Sequence, residues 1–103
     1  MISEFIGERP MRVKQYLQDG TLSAAKAISA FSGYSAAGQA NAFHIQPLTQ
    51  SVRVRTDGTA PTSTVGTLVP AGGEGIIVFG DPANIKIIET AVSASCNVTT
   101  YLV

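Results

Sequence analysis

Residues 51–73, SVRVRTDGTAPTSTVGTLVPAGG, carry the clearest structural signal in the chain. Two valines, Val52 and Val54, alternate with two arginines, and successive side chains of a β-strand point to opposite faces. The alternation predicts a strand that buries its valines and presents Arg53 and Arg55. The Asp-Gly and Ala-Pro pairs that follow are typical of turns. We therefore expect a strand, a stiff loop and a Gly-rich bend that leads toward the next strand.

Short apolar runs separated by turn residues continue along the whole chain, at a spacing of roughly ten residues. Seven segments are typical of strands: 11–17, 42–46, 51–56, 66–69, 76–79, 85–89 and 96–103. A βαβ fold would need regular helical crossovers, and the pattern shows none. The sequence therefore predicts an all-β protein, a single antiparallel β-sandwich or jelly roll of about seven to eight short strands.

Two segments allow finer predictions. Residues 21–31, TLSAAKAISAF, have apolar side chains at helical spacing but also on one side of a strand. We favour a strand because Gly20 and Gly33 bound the segment and its surroundings are β. The last segment alternates cleanly. It should place one set of side chains on one face (Cys96, Val98, Thr100 and Leu102) and another set on the opposite face (Asn97, Thr99, Tyr101 and Val103).

The first ten residues differ from the rest. They mix apolar side chains, Phe5 and Ile6 among them, with charged ones and stop at Pro10. We expect an extended N-terminal arm over 1–10 and a β-sandwich domain over 11–103. The arm either packs loosely on its own chain or docks on a neighbour, in which case Phe5 and Ile6 are its anchor.

The composition points to a protein covered by neighbours. Charged residues make up 14% of the 103 residues, against about 25% in typical soluble proteins. Seven basic residues balance seven acidic ones, so no net charge attracts nucleic acid or an anionic membrane. No apolar run approaches the roughly 18 residues of a membrane-spanning helix, and the start of the chain does not have the pattern of a signal peptide. We expect neither nucleic acid nor membrane as a partner.

Catalytic and metal-binding patterns are weak in this sequence. His44 is the single histidine and Cys96 the single cysteine, and each lies in an apolar strand pattern that favours a buried, inert side chain. No Gly-x-Ser-x-Gly motif accompanies His44, and one histidine with one cysteine cannot form a zinc site alone. Asp19, Asp57 and Asp81 are explained as turn residues. We predict no enzyme activity, no metal and no cofactor.

The arginine pair leaves two interpretations open. Arg53 and Arg55 share one face of a strand, and Asp57 continues that series. In one interpretation they form a solvated face paired with acids such as Glu89 or Asp19. In the other, the pair and Asp57 contact a protein neighbour, because the planar guanidinium binds carboxylates and carbonyls well.

Two stretches resemble small structural proteins encoded by bacteriophages and prophages: QSVRVRTDGTAPTSTVGTLVPAGGE, residues 50–74, and IKIIETAVSASCNVTTYLV, residues 85–103. The resemblance implies a β-sandwich located in the virion, such as a capsid decoration (cement) protein. It would be a homo-oligomer, a trimer or dimer, bound to the major capsid protein or other virion proteins. Other head, neck or tail roles remain alternatives. So does a carbohydrate-binding module that stacks sugars on Tyr16, Tyr34 and Tyr101, although the chain lacks tryptophan.

Overall fold

A computed structural model describes residues 5, 6 and 9–103, with side chains described from Pro10 onward. Its regular structure is β throughout, apart from a single 3-10 turn at Ile28–Ala30 in the described chain. The strands are β1 Phe5–Ile6, β2 Arg9–Pro10, β3 Arg12–Asp19, β4 Lys26–Ala27, β5 Ala42–Pro47, β6 Val52–Arg55, β7 Thr67–Val69, β8 Ile76–Phe79, β9 Lys86–Glu89 and β10 Cys96–Leu102.

Eight of these strands form two four-stranded antiparallel sheets. The first sheet has the order β3-β10-β5-β8 and the second has the order β4-β9-β6-β7. Every connection from β3 to β10 crosses between the sheets except the one from β6 to β7. Apart from the β6–β7 hairpin, strands that pair within a sheet are therefore not consecutive in sequence. This confirms the all-β prediction and places every strand of the two sheets within residues 12–102.

One apolar core draws side chains from both sheets. The first sheet contributes Leu17, Phe43, Ile45, Cys96 and Val98, the second contributes Val52, Val54, Val69 and Ile87, and connecting segments contribute Leu22, Ile28, Phe31, Ile85 and Ala94. Burial of each large aliphatic side chain stabilises the fold by roughly 1.5–3 kcal/mol. The valines of β6 are buried and its arginines are not, as the alternation predicts. The Gly-rich bend carries the chain from β7 in the second sheet to β8 in the first.

A second, smaller cluster lies on the outer face of the first sheet, where Tyr101 packs with Met11 and Ala42. The pattern of the last strand is confirmed for Cys96, Val98 and Thr100, which are buried toward the main core. It does not anticipate that Tyr101, on the opposite face, is buried as well. A β-bulge explains the burial of Tyr101. Lys14 is the extra residue of β3 at this point, so Val13 lies opposite Tyr101 in its place.

The segment 21–31 is not the continuous strand that we favoured. Only Lys26–Ala27 forms a strand, and the 3-10 turn follows it directly. Leu22, Ile28 and Phe31 are buried, whereas Ala24 and Ala30, expected on the same face as Leu22, are exposed. The backbone of this segment pairs with β9 only at Lys26–Ala27 and at Leu22, and the amides of Ile28 and Ser29 then donate to carbonyls of the segment that precedes β9.

The N-terminal arm is described only in part. Phe5–Ile6 pairs antiparallel with Arg9–Pro10, so this portion of the arm doubles back on itself. The predicted anchoring by the side chains of Phe5 and Ile6 lies outside the described side chains. Residues 1–4, 7 and 8 lie outside the described residues altogether.

Asp19 is a structural centre rather than a simple turn residue. Its side chain is 5% exposed, at the end of β3. One carboxylate oxygen accepts hydrogen bonds from the Thr21 amide (2.8 Å) and hydroxyl (2.7 Å). The other accepts from Lys26 Nζ (2.9 Å) and from the Ser32 amide (3.0 Å). Burial alone would raise the pKa of Asp19, but these donors outweigh it and hold the pKa well below its usual range.

Replacing Asp19 with Asn should lower the free energy of unfolding by about 2–4 kcal/mol at pH 7, because a buried, multiply bonded charge is lost. The folded-state pKa is depressed, so the stability that Asp19 contributes is present above its unfolded pKa near 4 and disappears as the pH falls below that value. Urea denaturation of both proteins between pH 2.5 and 7 measures this.

The matched control is Asp57→Asn, which removes an exposed carboxylate from a loop. It should cost much less than Asp19→Asn at pH 7, and the two costs should approach each other as the pH falls toward 2.5. A gap between wild type and Asp19→Asn that persists unchanged at pH 2.5, or that is absent at pH 7, would contradict the structural role of Asp19.

Candidate functional site

Arg55 and Asp57 form an exposed ion pair at the start of the loop that joins β6 to β7. Arg55 Nε donates to Asp57 Oδ1 at 3.2 Å, and its Nη2 donates to Oδ2. Asp57 Oδ1 also accepts from the Thr59 amide at 3.1 Å, which closes a tight turn. These hydrogen bonds lower the pKa of Asp57 and raise the pKa of Arg55. The pair leaves guanidinium and carboxylate edges open to solvent.

Arg53 has a different role, although it shares the strand face with Arg55. Its Nη1 donates to the carbonyl of Gly66 at 3.1 Å and ties the far end of the loop back to β6. Gly66 has a φ of 129°, and a Cβ there would lie 3.2 Å from the Val54 carbonyl oxygen, so only glycine suits this close approach. Arg53 therefore holds the end of the β6–β7 loop against β6, and we call this contact the loop clamp.

The predicted pairing of these arginines with Glu89 or Asp19 is wrong. In the sheet Arg53 lies opposite Ile88 and Arg55 lies opposite Lys86, while Glu89 lies opposite Val52. The register therefore offers neither arginine a cross-strand acid. Arg55 is paired within its own loop instead, which also balances the adjacent charge of Lys86.

A hollow of about 360 Å³ lies where the edges of the two sheets face each other. Arg55 and Asp57 line one side of it, and Val65 lies beside them. The opposite side is formed by Ile76 and Val78, the core-facing side chains of β8, which are only half-buried. The structure thus brings two of the predicted contact residues next to an apolar sheet edge, a proximity that the sequence pattern does not reveal.

The outer face of the second sheet carries an apolar strip. The register places Leu68, Arg53 and Ile88 side by side on the three strands β7, β6 and β9. Leu68 is 48% exposed, and Val92, in the loop after β9, is 77% exposed. Ile88 and Val92 also line a hollow of about 440 Å³. We call the group Arg53, Leu68, Ile88 and Val92 the second-sheet strip.

The outer face of the first sheet has a polar end. Tyr16, 79% exposed, lies opposite Thr99, and Gln18 and Gln46 flank Asn97. These side chains line a hollow of about 410 Å³. Of the other two tyrosines proposed for stacking, Tyr34 is half-buried and Tyr101 is buried, so Tyr101 offers no stacking face. The three amides come from three different strands, so the sequence pattern did not reveal this cluster, which depends on the register of the sheet.

Of the two candidate reactive side chains, Cys96 is buried as expected, whereas His44 is only half-buried, because it lies on the outer face of the first sheet beside Thr99. Burial lowers the pKa of His44, whose Nε2 donates to the carbonyl of Glu74. Burial raises the pKa of the Cys96 thiol to about 12. Among the described residues, no three His, Cys, Asp or Glu side chains are grouped as metal ligands. That same part of the chain contains no helix long and apolar enough to cross a membrane.

Comparison of the chain with protein-family models, with curated proteins and with solved structures finds no match in any of the three.

Replacing Arg53 with Ala should lower the free energy of unfolding by about 1–2 kcal/mol, because the Gly66 carbonyl loses a charged donor and the loop loses its clamp. Arg55→Ala, at the exposed pair, is the matched control and should cost clearly less. Chemical denaturation of the two variants measures the difference. Equal losses, or a larger loss for Arg55→Ala, would contradict the separate roles assigned to the two arginines.

Proposed function

We propose that the two sheets form a jelly roll. The first of the eight strands, β3, pairs with the last, β10; the second, β4, pairs with the second last, β9. Pairing continues inward with β5 and β8, and ends at the β6–β7 hairpin. This is the order obtained when one long antiparallel hairpin is wound into two facing sheets. Such double-sheet folds are used by viral capsid proteins and by lectins.

The chain would serve as a non-enzymatic structural subunit of a phage particle, most concretely a capsid decoration protein. Because a fold does not determine a function, the proposal depends on one further observation. The two stretches that resemble phage structural proteins contain β6 and β7, and β9 and β10, respectively. Three of these four strands are neighbours in the second sheet and together carry the second-sheet strip. The resemblance therefore coincides with neighbouring strands whose outer face is partly apolar.

The proposed mechanism is mechanical. The second-sheet strip would contact the major capsid protein or another virion protein, with Leu68 and Val92 as apolar contacts and Arg55 and Asp57 as polar ones nearby. An interface of roughly 800 Å² per partner suffices for stable association, and many identical copies on a shell multiply the effect. The homo-oligomer, the virion location and the anchoring role of Phe5 and Ile6 belong to the same proposal.

Replacing Leu68 with Glu should reduce binding to particles at least tenfold, because it replaces an exposed apolar contact of the second-sheet strip with a charge. The assay adds purified protein to shells from the phage or prophage that carries the gene, prepared without this protein, and measures the bound fraction by sedimentation. Leu68 is half-exposed, so the variant should keep its fold, which circular dichroism checks.

Tyr16→Glu is the matched control, since it places the same charge at an exposed apolar residue of the other sheet. It should bind like wild type. No binding of wild-type protein to its own particles would overturn the proposed function. Equal binding by Leu68→Glu would exclude the second-sheet strip as the contact.

A second candidate function is carbohydrate binding, and the polar end of the first sheet favours it. The exposed ring of Tyr16 could stack on a sugar, while Gln18, Gln46 and Asn97 offer amide donors and acceptors to hydroxyl groups. In that case a glycan array should show binding by wild type that is lost in Tyr16→Ala and kept in Leu68→Glu. An array without signal for wild type would remove this candidate.

A further inference from the structure

Three of the four sheet edges carry features that prevent pairing with another strand. Exposed edges are protected by charge, bulges, shortness or proline. Edge strand β3 has exposed Arg12 and Lys14 and a bulge. Strand β4 is two residues long and contains Lys26, and β7 is three residues long and is followed by Pro70. These features protect the three edges against pairing with a strand of another molecule.

The fourth edge, β8, contains no charged residue, bulge or proline, and it is longer than β4 and β7. Its four residues, Ile76–Phe79, are all apolar, and Phe79 is 52% exposed. In the described part of the chain, β5 is the one strand that pairs with β8. The contrast with the other three edges indicates that this edge is kept open for a partner strand.

The register shows which backbone groups face outward. The Gly80 amide donates to the Asn41 carbonyl, so Val78 and Ile76, two and four residues earlier, also direct their backbone groups toward β5. Ile77 and Phe79 alternate with them and direct their amide and carbonyl groups away from the sheet. The edge therefore offers two donors and two acceptors at strand spacing, which is the chemistry that recognises an extended chain.

We propose that β8 pairs antiparallel with β8 of a second copy about a twofold axis at Val78. Ile77 then lies opposite Phe79 of the second copy, and the reciprocal pair repeats the contact. Four backbone hydrogen bonds form from the two outward-facing residues of each strand. The two first sheets become one continuous sheet of eight strands. The interface is isologous, as a twofold dimer requires.

A second copy is the occupant because the edge is complementary to itself. Both strands are uncharged, so the axis brings no like charges together. On the outer face the register pairs an aromatic ring with a β-branched side chain, a favourable cross-strand combination. On the core side Val78 meets its own counterpart beside the hollow at the sheet edges, which keeps the centre of the interface apolar.

The inference rests on the proposed function only in taking the chain to be a homo-oligomer. It names the interface, and that interface is separate from the second-sheet strip. A dimer in solution therefore does not require a capsid, and binding to a capsid does not require Phe79.

Size-exclusion chromatography with light scattering at about 100 μM tests the proposal on the full chain. Wild type should have twice the monomer mass of 10.7 kDa. Phe79→Lys should be a monomer, because it adds a charge at the centre of the interface. Tyr16→Lys changes an exposed aromatic residue on β3, the opposite edge strand of the same sheet, and should remain a dimer. A monomeric or trimeric wild type, or a dimeric Phe79→Lys, would overturn the proposal.

A disulfide tests the register directly. At the twofold axis the two Val78 Cα atoms form a pair about 4.5 Å apart, which suits a disulfide, so Val78→Cys should cross-link into a covalent dimer on mild oxidation. Ile76→Cys is the matched control, since its two copies lie roughly 13 Å apart at 3.3 Å per residue and should not cross-link. The native Cys96 is buried in both variants.

The capsid contact and the dimer interface at β8 can be tested independently. Leu68→Glu should lose particle binding and stay a dimer. Cross-linking of Ile76→Cys in place of Val78→Cys would contradict the register, and no cross-linking of either would contradict the interface. Neither result would bear on whether wild type binds particles.

Discussion

The structure depends on the pairing of β10 with β3, the last and the first strands of the two four-stranded sheets. Strand β10 lies between β3 and β5, so the first sheet is complete only when residues near the end of the chain have added to residues near its start. Cys96, Val98 and Thr100 then close the core from that side. Strand pairing over such sequence distances is slow to form, because loop closure must precede the contacts that reward it.

Local pattern predicted the strands well and their partners poorly. The alternation at Val52 and Val54 depends on neighbours in the chain, so it indicated both the strand and its buried face. The role of Asp19 depends on donors brought in by a later loop, and the burial of Tyr101 depends on a bulge in another strand. Arg53 and Arg55 look equivalent in sequence. In the structure Arg53 donates to the carbonyl of Gly66 and holds the loop, whereas Arg55 forms an exposed ion pair with Asp57. Such long-range contacts cannot be read from a single segment.

Different parts of the molecule have different roles in stability and in contacts with other proteins. Buried polar bonds around Asp19 stabilise one end of the fold, and the clamp at Arg53 orders the loop that presents Arg55 and Asp57. Among the exposed large apolar side chains of the described residues, Leu68 and Val92 belong to the second-sheet strip and Phe79 to β8, while Tyr16, Leu48 and Val65 lie elsewhere. A low-charge protein with two separate apolar surfaces suits a subunit that contacts a large assembly on one side and a copy of itself on another.

Cryo-electron microscopy of phage particles from the host that encodes this protein tests the proposed role as a shell subunit. The account predicts density for a two-sheet domain on the shell, with Leu68 and Val92 against a shell protein. A particle without such density would contradict the structural role. Density that leaves the second-sheet strip in solvent would contradict the surface assigned to it.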